Sequence, residues 1–131
     1  MSPDEVNDLL QRFAVAPWSS GDLDALKSTV GEGYVLHPDM TLEDLESIIR
    51  DYRRGFPDLT VTIEDVISEG NRIAYRWTMR GTHRGEIEGI APTGRPVTAT
   101  GITILRLQGG KVVEDRFESS SPSVREQLGA A

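Results

Sequence analysis

Cysteine is absent from the 131-residue chain, which removes a disulfide framework, a thiol nucleophile and a zinc-thiolate site together. Histidine is nearly as scarce, with only His37 and His83. No apolar run approaches the ~20 residues that a membrane-spanning helix needs, so no membrane role is expected. The first residues, Met1-Ser2-Pro3-Asp4-Glu5, are acidic and lack the apolar stretch of a signal peptide, so a cytoplasmic location is expected. Basic residues are outnumbered, 14 Lys and Arg against 21 Asp and Glu, for a net charge of -7. A field of that sign repels a phosphate backbone, which argues against nucleic acid as a partner. A phosphate-cradling glycine loop is also missing, since no Gly-rich stretch joins a strand directly to a helix. Ser119, Ser120 and Ser121 have no partnered His and Asp at a triad's spacing. Glu86 and Glu88 lie near His83, but nothing fixes three or four ligands in one place, so neither a metal nor a cofactor is expected.

What remains reads as one soluble domain over residues 1–131, with 37% hydrophobic and 27% charged residues. At this length roughly two-thirds of the extended chain's surface can be buried, enough for a core with a small pocket. Ser2-Pro3-Asp4-Glu5 has the form of a capping box and predicts a helix start. Val6, Leu9, Leu10 and Phe13 form one apolar stripe, which Pro17 is expected to end. A short second helix is predicted over Leu23–Thr29, after which Gly31-Glu32-Gly33 should break the chain before a short extended piece at residues 34–37. Thr41 as N-cap, with Leu42, Leu45, Ile48, Ile49, Tyr52 and Phe56 at helical spacing, predicts the longest helix, stopped by Gly55 and Pro57.

From Leu59 the apolar period changes to two, as in a half-buried strand. Residues 72–80 place Ile73, Tyr75, Trp77 and Met79 on one face. Residues 97–107 read as strand again, and Gly109-Gly110 turns the chain into residues 111–118 as the last strand. The tail reads either as a short closing helix or as a frayed end. Helices followed by strands in hairpin-like succession make an α+β pattern. A curved antiparallel sheet with three N-terminal helices on one side would leave a cone able to hold one small ligand.

Between the two strongest strand candidates, residues 81–95 bring together glycines, Pro92, His83, Glu86 and Glu88. The stretch reads as a long, twisted hairpin that partly covers the cone. His83 is the first candidate for acid–base chemistry, because an unperturbed imidazole titrates near ~6.5. The alternative is that it orders the loop through a backbone hydrogen bond.

Several short motifs then align with one family. They are Gly21-Asp22-Leu23-Asp24-Ala25-Leu26, Phe56-Pro57-Asp58-Leu59, Ile63-Glu64-Asp65-Val66-Ile67 and the run from Arg76 to His83. Gly89-Ile90-Ala91-Pro92-Thr93-Gly94-Arg95, Gly101-Ile102, Gly110-Lys111-Val112-Val113-Glu114 and Gln127-Leu128-Gly129 complete the set. In this order and spacing the chain resembles the SnoaL-like polyketide cyclases, within the nuclear transport factor 2-like superfamily of cone-shaped folds. The resemblance implies a cofactor-independent enzyme that closes a ring by intramolecular aldol condensation, and a homodimer packed through its open sheet. It also implies a catalytic aspartate four residues after a tryptophan in the last strand. Counted back from Gln127-Leu128-Gly129, the tryptophan position holds Arg116 and the aspartate position holds Ser120, which cannot titrate near neutrality.

In the last strand Val112, Glu114, Arg116 and Glu118 share one face, and Val113, Asp115, Phe117 and Ser119 the other. Parity alone does not say which face is inward. If the even face lines the cone, Arg116 with Glu114 or Glu118 could bind a carbonyl or carboxylate; if the odd face does, Asp115 becomes the substitute acid–base group. The candidate catalytic residues are therefore His83, Asp115 and Arg116. The candidate ligand-binding residues are His37, Tyr52, Phe56, Trp77, Glu114 and Ser120. The expected ligand is a small apolar carbonyl compound. Three readings follow: cyclase or isomerase chemistry, epoxide-hydrolase-type opening that uses Arg116, or ligand binding without catalysis.

Overall fold

The computed structural model describes residues 1–119 and 121–129. The first helix, α1 (Pro3–Leu10), begins with the capping box: Ser2 Oγ accepts from the Glu5 amide at 3.2 Å, and Glu5 Oε1 from the Ser2 amide at 2.9 Å. Its stripe of Val6, Leu9 and Leu10 is buried. The chain does not stop before Pro17. A π-helical turn, Gln11–Val15, widens the coil and leads into α2 (Ala16–Ser20), where proline occupies the first turn and needs no N–H partner. The expected stop at Pro17 thus becomes a change of helical pitch, and the left-handed Gly21 ends the helix.

Asp22 caps α3 (Leu23–Thr29), accepting from the Ala25 amide at 3.0 Å. The glycines at 31 and 33 do not break the chain as expected. They lie inside β1 (Val30–Leu36), whose pairing shifts register between Val30 and Val35. A second capping box, Thr41 with Asp44, starts α4 (Leu42–Gly55). Four strands follow: β2 (Thr60–Glu69), β3 (Arg72–Thr82), β4 (Pro96–Gln108) and β5 (Lys111–Glu118). The tail forms α5 (Val124–Gln127), capped by Ser123.

The strands make one five-stranded sheet in the order β1-β5-β4-β3-β2, antiparallel except for the β1–β5 pair. A bulge in β2 between Ile63 and Asp65 breaks the register and bends that edge. The apolar faces of the helices and the inner face of the sheet form two clusters. The larger is built on Phe13, Leu26, Ile49 and Leu105. The smaller surrounds Phe56, Ile87, Val97 and Leu128. The outer face of the sheet leaves Ile67, Ile102 and Ile104 exposed. No helix is long and apolar enough to cross a membrane among the described residues.

Candidate active site

Between the helices and the inner sheet face lies a cavity of about 610 Å³. Its walls are mostly apolar: Phe13, Trp18 and Leu36, Leu45 and Tyr52 from α4, and Tyr75, Trp77 and Met79 from β3. Its space comes from β4, which faces inward with small side chains. Ala99 lies opposite Met79, Gly101 opposite Trp77 and Thr103 opposite Tyr75. Large residues on one strand set against small ones on the next leave room that uniform side chains would fill.

The register of β5 settles its parity. Asp115 pairs with Leu105 and Phe117 with Thr103, both inner positions, whereas Arg116 pairs with exposed Ile104. From Asp115 onward the odd positions therefore line the cone, while the register shift between Arg106 and Leu107 puts even-numbered Val112 in the core before them. Asp115 is 5% exposed and is the buried carboxylate among the described residues of the cavity lining. Its Oδ2 accepts from the Tyr34 hydroxyl at 2.8 Å. Burial raises the Asp115 pKa from 3.8 to about 6, and the Tyr34 hydrogen bond pulls against that rise. The buried Tyr34 and Tyr75 phenols are both held well above the ordinary tyrosine range, first by burial and then by the Asp115 charge. Nearby, the Trp77 indole Nε1 donates to Thr103 Oγ1 at 2.9 Å.

The remaining charged lining residues, Glu88, Arg125 and Glu126, are exposed and form a polar rim. The rim comes mostly from residues 121–126, not from the glycine-rich loop. That loop lies over the end of α4, where Arg84 and Gly85 both donate to the Gly55 carbonyl at 3.0 Å. A Cβ at Gly85 would fall 2.1 Å from the Arg54 carbonyl oxygen, so only glycine allows this approach. Of its residues, Glu88 reaches the cavity.

His83 is fully buried but lies outside the cavity lining. Its amide donates to the Arg95 carbonyl at 2.9 Å and its carbonyl accepts from Gly94 at 2.8 Å. Nδ1 accepts from the Thr93 amide at 3.1 Å, and the ring packs 5.8 Å from Phe56. The imidazole thus clasps the two ends of the loop together in the smaller cluster.

Arg116 is exposed on the outer sheet face because its parity is opposite to that of Asp115. Glu114, on the same outer face, pairs with Arg106 and lies 3.4 Å from His37 Nε2. Neither His37 nor Glu114 lines the cavity, and Phe56 is buried in the smaller cluster. Ser120 lies outside the described residues. The cavity thus brings together Asp115, Tyr52 and Trp77 from the residues singled out in the sequence, and adds Tyr75 and Thr103. Parity would have found both additions, since Tyr75 shares the Trp77 face and Thr103 is a polar residue on the buried face of its strand.

A family model described as SnoaL-like polyketide cyclase matches residues 8–128. The chain belongs to the SnoaL-like polyketide cyclase family. Among solved structures it is similar to AclR from Streptomyces galilaeus, a candidate hydroxylase: 27% identity, TM-score 0.85, 98% of this chain and 86% of that one. It is also similar to IdmH from Streptomyces antibioticus, a candidate polyketide cyclase: 28% identity, TM-score 0.76, 97% of each chain. A Catenulispora acidiphila protein with a ketosteroid isomerase-like fold shares the architecture, with TM-score 0.70 and 22% identity over 100% of this chain and 96% of that one. Among curated proteins no sequence matches. SnoaL-like membership supports cyclase- or isomerase-type chemistry at the level of the family.

Proposed function

We propose that the protein is a cofactor-independent enzyme that moves protons on a small apolar carbonyl compound, with Asp115 as the acid–base group. The observation that carries this reading is a buried carboxylate in the wall of a 610 Å³, mainly apolar cavity, held by Tyr34 and titrating near neutrality. A carboxylate of that kind suits general base catalysis close to physiological pH. In an aldol closure Asp115 removes a proton from the carbon next to a carbonyl, leaving an enolate. The enolate carbon bonds to a second carbonyl of the same molecule, and the protonated Asp115 returns its proton to the alkoxide so formed. In an isomerisation the proton returns to carbon.

The test is exchange of α-protons of ring and chain ketones in deuterated water, followed by proton NMR. Wild-type protein is expected to accelerate exchange and Asp115→Asn to lose roughly 10²–10⁴ of that rate. Ketones that bind without exchange would favour the second reading, a ligand-binding protein without catalysis. That reading is supported by Ser120, which stands where the family pattern has its aspartate. The epoxide-opening reading loses the arginine that favoured it, because Arg116 stands on the outer face.

The exposed Ile67, Ile102 and Ile104 on the open sheet support a homodimer packed through that face. Light scattering after size exclusion is expected to give twice the monomer mass, and Ile104→Glu to halve it. A monomeric wild type would refute this assembly.

A further inference from the structure

Resting on the reading of this cavity as a site for ring carbonyl compounds, we infer that Gly101 and Trp77 form its shape-determining pair. Gly101 seats the indole so that one wall is flat and accepts a planar unsaturated ring. The two residues are direct cross-strand partners on the inner face. A Cβ at Gly101 would fall 2.4 Å from Trp77 Cζ2, 2.8 Å from Cε2 and 2.7 Å from the Glu118 carbonyl oxygen. These distances lie well inside van der Waals contact, so the indole occupies the space a side chain at 101 would need. It lies across the backbone of β4 only because position 101 is glycine.

Two further contacts hold the ring in that pose. Nε1 donates to Thr103 Oγ1 at 2.9 Å, and the Phe117 ring meets it edge-on with centroids 6.3 Å apart. An indole fixed by a seat, a hydrogen bond and a ring edge has little freedom to mould itself to a puckered ligand. Its partly exposed surface belongs to the cavity wall that also carries Asp115. Stacking on such a surface rewards a ring that is flat over several atoms, whereas a saturated ring of the same size meets it at fewer points. Gly101 thereby acts as a positioning residue through Trp77, and Trp77 as the specificity residue.

The experiment compares two ketones of one carbon skeleton, aromatic 1-tetralone and saturated 1-decalone, as competitors of a fluorescent naphthyl ketone. Wild-type protein is expected to bind 1-tetralone about 5–10-fold more tightly, the range of a single stacking contact of ~1 kcal/mol. Trp77→Leu should remove the preference. Gly101→Ala should weaken both ligands at least tenfold by tipping the indole into the cavity. In Gly101→Ala/Trp77→Leu the methyl group no longer meets the indole but still meets the Glu118 carbonyl oxygen, so binding should return in part and without the preference; Trp77→Leu, which leaves position 101 untouched, decides the matter if neither alanine variant folds. A preference that survives Trp77→Leu, a folded Gly101→Ala protein that binds as wild type, or a folded double variant that keeps the preference would overturn the pairing. Wild-type protein that shows no α-proton exchange but keeps the tetralone preference would sink the acid–base role of Asp115 alone. Exchange that proceeds without any ring preference would sink the shape assignment alone.

Discussion

Asp115→Asn should make the protein more stable above neutrality while removing its proposed acid–base group. The carboxyl titrates at about 6 in the fold against an ordinary value of 3.8, because burial disfavours its charge. A rise of roughly two units corresponds to about 3 kcal/mol at about 1.4 kcal/mol per unit. The folded state therefore binds more protons than the unfolded state between about pH 4 and 6. Stability is lost as pH rises through that window, and above it the buried anion costs the full amount. Asparagine keeps the shape, carries no charge and can still accept the Tyr34 hydroxyl. Urea unfolding at pH 8 should show the variant more stable by up to about 3 kcal/mol, and at pH 4.5 the gap should shrink to about 1 kcal/mol. A variant less stable than wild type at pH 8, or a gap equal at the two pH values, would refute the assignment of a strained buried carboxylate.

Other substitutions probe its surroundings. Tyr34→Phe removes the hydrogen bond that favours the Asp115 anion, so the carboxyl midpoint followed by carbon-13 NMR should move upward by about one unit; an unchanged or lower midpoint contradicts this role. Gly85→Ala would drive a methyl group into the Arg54 carbonyl and lift the loop from the Gly55 carbonyl, at a cost of about 2–3 kcal/mol in denaturant unfolding. Thr41→Ala removes the N-cap of α4 and should cost about 1 kcal/mol with naphthyl ketone binding unchanged; a loss near zero would mean that the cap contributes nothing to the fold.

The parts of this fold that could be read from sequence are those whose signal is local. Capping boxes at Ser2 and Thr41, apolar residues at helical spacing, and period-two alternation in residues 72–80 each act within a few residues of one another. Pro17 and the glycines at 31 and 33 misled for the converse reason. A π turn after the first helix absorbs the proline, and the glycines fall in the register shift of β1 between Val30 and Val35, where the strand continues past an interrupted ladder held by its paired ends. The same division explains the site. His83 drew attention because a histidine among turn formers looks like chemistry, yet its neighbours in space, Thr93, Arg95 and Phe56, make it a clasp for the loop. Asp115 drew less, because five of the eight residues of its strand are charged and nothing nearby distinguishes it from Glu114 or Arg116. Only pairing with Leu105 turns it inward, towards the Tyr34 hydroxyl that comes from a strand 81 residues earlier in the chain. A one-residue slip in that register would bury Glu114 or Arg116 instead. The inward turn of that carboxyl is thus set by the β4–β5 register, and the irregularity between Arg106 and Leu107 is the local device that sets it: the Gly109-Gly110 turn, which pairs Leu107 with Val112, would by itself place Glu114 opposite Leu105.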